Sequence, residues 1–101
     1  MKIEFYIPKD QTIPTRLRLK VDGLDVYYDK VDDAFAYDIT LWGKARENGT
    51  AIVDEIVRRL CNQSYDHGSE WRETNREVIE EGVMDWEPSV IRVYFRVNDS
   101  Y

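Results

Sequence analysis

Residues 69–82 read Ser69-Glu70-Trp71-Arg72-Glu73-Thr74-Asn75-Arg76-Glu77-Val78-Ile79-Glu80-Glu81-Gly82, and the period assigned to them sets the fold class of the whole chain. At 100° per residue, Glu70, Glu73, Glu77, Glu80 and Glu81 fall within an arc of about 100°, with Trp71, Asn75, Val78, Ile79 and Gly82 opposite. Ser69 suits an N-cap and Gly82 a C′ residue. On this reading the segment is a helix over about Ser69 to Glu81 that docks its apolar side and turns an acidic stripe outward.

Such a helix works against itself. Glu70/Glu73, Glu73/Glu77, Glu77/Glu80 and Glu77/Glu81 are like charges at i,i+3 or i,i+4, each disfavoured by roughly 0.2–0.5 kcal/mol. Glu80 and Glu81 would also stand at the negative end of the helix dipole. The imbalance is regional: Asn62 to Glu87 holds eight acids against two bases, and eight minus two equals the net charge of −6 for all 101 residues. A segment that breaks local rules without gain in stability is where function is expected.

Upstream, the pattern is that of strands. Ile3, Phe5 and Ile7 alternate with polar or amphipathic neighbours before Pro8, predicting a first strand over 2–7. Leu17, Leu19 and Val21 alternate with Arg16, Arg18 and Lys20, and Asp22-Gly23 is a strong hairpin signal that joins strands two and three. A fourth strand follows, where Phe35, Tyr37, Ile39 and Leu41 alternate with Ala34, Ala36, Asp38 and Thr40.

Ahead of the acidic segment, Ile52, Val53, Ile56, Val57 and Leu60 share one helical arc over about Thr50 to Asn62, and Asp54/Arg58 and Glu55/Arg59 are favourable i,i+4 pairs. Beyond Pro88, Ile91, Val93, Phe95 and Val97 alternate with Arg92, Tyr94 and Arg96 in a last strand that inserts beside an earlier one. The expected architecture is a single compact α+β domain over 1–101: a mainly antiparallel sheet of about five strands, two helices on one face, in the order ββββααβ.

Composition narrows the function classes. A chain this short supports one core and little room for a deep catalytic cavity. Cys61, the sole cysteine, excludes an intramolecular disulfide, and a reducing, cytoplasmic setting is expected. The opening residues lack the apolar region of a signal peptide, and no apolar run approaches membrane-spanning length. No nucleotide, dinucleotide, zinc-protease or serine-hydrolase motif occurs, so neither enzymatic function nor a cofactor is expected. Cys61, His67 and Glu70 lack metal-ligand spacing, so a metal site is not expected either, and Cys61 reads as a small buried hydrophobe.

Two surfaces remain as candidate sites. The first is the acidic stripe of Glu70, Glu73, Glu77, Glu80 and Glu81, with Trp71 or Trp86 as anchor, docking as an inhibitor or regulator on a basic surface of a larger protein, one that grips nucleic acid being one candidate. Plain solvation is the competing account of the same acids. The second surface is the outward positions Arg16, Arg18, Lys20, Arg92, Tyr94 and Arg96, with Tyr6 and Tyr27, where cations and rings would suit single-stranded nucleic acid or RNA. The net charge and a pI near 4.7 disfavour a polyanion. A homodimer or structural oligomer built on an open strand edge is the third expectation.

Overall fold

In the computed structural model the chain is described over residues 2–5, 16–32, 34–66 and 68–99. The elements run β1 (Ile3–Phe5), β2 (Arg16–Val21), β3 (Leu24–Lys30), β4 (Ala36–Leu41), α1 (Lys44–Glu47), α2 (Gly49–Asp66), β5 (Ser69–Glu80) and β6 (Ser89–Asp99). The strands form one six-stranded sheet in the order β1-β2-β3-β4-β6-β5, with every neighbouring pair antiparallel.

The α+β class holds, with one large correction. Residues 69–80 are a strand and not a helix, so the order is ββββααββ and the acidic stripe of a helix does not exist. The second helix is instead the four-residue α1, which precedes α2. The last strand does insert beside an earlier one, lying between β4 and β5.

Two bulges in β5 give its sequence a helix-like spacing. β5 carries two register irregularities against β6, one between Glu73 and Asn75 and one between Val78 and Glu80, which leave Thr74 and Ile79 as extra residues. Residues sharing a face of β5 are therefore Trp71, Glu73, Arg76 and Val78, at spacings of two, three and two, and Glu70, Arg72, Asn75, Glu77 and Glu80 on the other. Each bulge slips the period-2 alternation by one, so Trp71 and Val78 lie seven residues apart, the repeat of two helical turns. In the extended chain the i,i+4 repulsions of the imagined helix vanish.

Elsewhere the local signals are answered directly. Asp22 and Gly23 adopt φ of 50° and 81°, the paired positive values of the tight turn that Asp-Gly favours. The arc Ile52, Val53, Ile56, Val57 and Leu60 is buried along α2 against one face of the sheet. That covered face supplies Leu19, Val21, Val26, Tyr28, Tyr37, Ile39, Leu41, Val93 and Phe95 to the same core. Each fully buried aliphatic side chain contributes roughly 1.5–3 kcal/mol. Burial pushes the Tyr28 and Tyr37 hydroxyls up, so both stay neutral.

The opposite face of the sheet is open. Cross-strand register places Arg18 beside Tyr27, Lys20 beside Asp25, Asp38 beside Arg92, and Arg92 beside Glu77 on it. Among the described residues, no helix is long and apolar enough to cross a membrane.

Candidate protein-interaction surface

The β5–β6 hairpin carries the most exposed apolar side chains of the described residues. Val78 (62%), Ile79 (44%), Val83 (80%), Met84 (49%) and Trp86 (75%) all stand in solvent within nine positions of the chain. Single exposed apolar residues are ordinary, but a cluster of this kind marks a contact surface.

The loop that displays them, residues 81–88, is held in place by polar contacts. The Glu87 carboxylate accepts the backbone N–H groups of Val83 at 2.8 Å and Met84 at 3.2 Å, and these two bonds hold its acid strength above that of an ordinary glutamate. The Glu87 N–H donates to the Met84 carbonyl at 2.9 Å. The Gly82 N–H donates to Ser89 Oγ at 3.1 Å, and the Gly82 carbonyl accepts from the guanidinium of Arg46 on α1. Arg46 also faces Asp85 at 3.7 Å, so one short helix pins the loop from below. The tip is therefore presented in one shape, which lowers the ordering cost of binding.

The five glutamates of the expected stripe are separated by the strand. Glu70, on the open face, is paired with Arg72 at 2.7 Å. Glu73, on the covered face, is bonded by Arg76, which also reaches Asp54 of α2 at 2.6 Å; these acids hold the Arg76 guanidinium in its charged form. Glu77 accepts the Tyr94 hydroxyl at 2.9 Å. Glu77, Glu80 and Glu81 are exposed and without an ion pair among the described residues, and of these Glu80 and Glu81 also have no side-chain hydrogen bond there and adjoin the apolar tip.

The two candidate tryptophans have different fates. Trp71 packs against the core, with ring centroids 5.4 Å from Phe95 and 6.0 Å from both Phe35 and Tyr37. Trp86 stands on the loop as a large, rigid, exposed surface. Val83 and Met84 join it without having been singled out by the sequence; the available signal was three large apolar residues between Gly82 and Pro88, inside an acidic stretch, in no helix or strand.

The basic and aromatic positions do assemble on one face. Arg18 and Lys20 of β2 and Arg92, Tyr94 and Arg96 of β6 share the open side of the sheet, while Arg16 holds the register position opposite Asp29. Acids are threaded among them. Asp38 binds Arg92 through two hydrogen bonds of 2.7 and 3.0 Å, which keeps that guanidinium charged and occupied, and Asp25 stands 3.9 Å from Arg18. Tyr27 packs edge-on to Trp42, with centroids 5.7 Å apart. Tyr6 and His67 lie outside the described residues. Cys61 is half-buried, and burial pushes its thiol up.

Compared with protein-family models, with curated proteins and with solved structures, the chain matches none.

Proposed function

We propose that the chain is a protein-binding module, an inhibitor or regulator that seats the tip of its β5–β6 hairpin on a larger protein with a basic surface. The observation that carries this reading is the cluster of Val78, Ile79, Val83, Met84 and Trp86 on a latched loop, bordered by the uncompensated Glu80 and Glu81. Apolar area at the centre supplies affinity, and carboxylates at the rim steer the approach of a cationic partner and set its orientation. A partner whose basic surface normally holds nucleic acid would be inhibited by simple occlusion. The reading assigns no catalysis, and the single thiol of Cys61 suits a reducing, cytoplasmic setting.

The test is affinity capture from a lysate of the source cells, with the wild type beside two variants, Val83→Asp/Trp86→Ala and Glu80→Lys/Glu81→Lys. Both variants are expected to lose the captured partner, and raising salt is expected to weaken the wild-type complex. Capture unchanged in both variants would remove the hairpin tip as the contact.

The shared open face of Arg18, Lys20, Arg92, Tyr94 and Arg96 supports a second reading, binding of single-stranded nucleic acid. A fluorescent oligonucleotide at low salt decides it: binding lost on Arg18→Glu/Arg96→Glu would favour the sheet face over the tip.

A further inference from the structure

Among the described residues the sheet has β1 at one edge and β5 at the other. The β5 edge runs for twelve residues with neither proline nor lysine, and among the described residues only β6 pairs with it.

We propose that this edge pairs antiparallel with β5 of a second copy, in the register that sets Thr74 of one copy opposite Asn75 of the other. A two-fold axis through that point brings Glu73 opposite Arg76, Arg72 opposite Glu77, and Trp71 opposite Val78, each twice. Every cross-strand charge pair in this register is of opposite sign.

The bulge at Thr74 is what permits it. Residues that face each other across an antiparallel pair must share a face of the sheet, and in an unbroken strand Glu73 and Arg76 would point to opposite sides. The extra residue returns them to the same face, together with Trp71 and Val78, and leaves Arg72 and Glu77 together on the other. A one-residue slip loses the match of faces and sets Arg72 against Arg76 or Glu73 against Glu77. A two-residue slip one way keeps the faces but sets Glu70 against Glu77, and the other way sets Glu73 against Val78 and brings Asn75 opposite Arg76, which lie on different faces. Self-pairing also gives the exposed Val78 an apolar neighbour in the partner's Trp71. This inference stands apart from the hairpin-tip reading, since the two tips would lie at opposite ends of the paired strands.

Sedimentation of the purified chain at increasing concentration tests it, because a dimer has twice the monomer mass of 12.0 kDa. Arg72→Glu and Glu77→Arg each create two like-charge contacts and are expected to weaken the dimer roughly tenfold. The double variant inverts the pair and restores wild-type association. Near-UV circular dichroism checks that each variant folds, and a nuclear Overhauser effect between the Trp71 ring and Val78 methyls in a mixed-label sample reads the register without any substitution. A monomer at concentrations of about 100 μM, or a dimer indifferent to the charge swaps, would overturn the proposal.

Discussion

Gly82 stands where β5 turns into the exposed loop, and a Cβ built there would lie 2.5 Å from the Glu87 carbonyl oxygen and 2.8 Å from both Arg46 Nη1 and the Pro88 carbonyl oxygen. Two of those neighbours are backbone and have little freedom to retreat. Gly82→Ala is therefore expected to cost about 1–3 kcal/mol in urea denaturation, as overpacking does, and also to loosen the tip. A loss under about 0.5 kcal/mol would show that the loop is not held as described. Glu87 gives the same latch a pH dependence. Its carboxyl lies below the usual 4.5, chiefly through the Val83 N–H and then the Met84 N–H. A depressed carboxyl stabilises the fold above the ordinary value, and that stabilisation is lost as pH falls through the folded value. Acid titration should accordingly change Trp86 emission below pH 4.5 in the wild type. Glu87→Gln should show no such step.

At the scale of elements, the sequence was legible wherever the alternation was unbroken. The Asp22-Gly23 turn, β2, β3, β4 and β6 follow the expected pattern, and α2 follows the arc from Ile52 to Leu60, with Asp54 engaged by Arg76 and Glu55 by Arg58 and Arg59. Two arginine partners hold the Glu55 carboxyl down to about 2, led by the Arg58 hydrogen bond. β5 was not legible, because its two bulges hide a period of two inside spacings of two and three. The like-charge pairs were the available warning: a cost assigned to function in a helix is simply absent in a strand. Deleting Thr74 would remove one bulge and leave residues 69–73 on their faces, with Glu73 opposite Phe95 and Asn75 opposite Tyr94 in an unbroken alternation. The deletion is expected to cost less than about 1 kcal/mol in denaturation and to keep the near-UV dichroism of the Trp71 cluster. A deletion variant that lost about 3 kcal/mol together with the Trp71 signal would contradict the bulged register.

Over the whole molecule, the localised charge of −6 survives as a fact of sequence but not as one surface. The strand sends Glu73 toward α2, where Arg76 takes it, leaves Glu70 with Arg72 and Glu77 with Tyr94, and carries Glu80 and Glu81 out to the apolar tip. The candidate site therefore lies at one end of the hairpin, with Trp86 and the last two glutamates as the part read in advance. Trp71 belongs to the core, and the expected nucleic-acid face is a real face but one of mixed charge. Hairpin tip, edge pairing and divided acids all depend on residues 69–80 lying extended beside β6. Backbone nuclear magnetic resonance of the labelled chain tests that most directly. Strand-type Cα shifts through this segment, with cross-strand contacts between Trp71 and Val97 and between Glu77 and Arg92, are the expected result. Helix-type shifts with sequential amide contacts from Glu70 to Glu80 would contradict it.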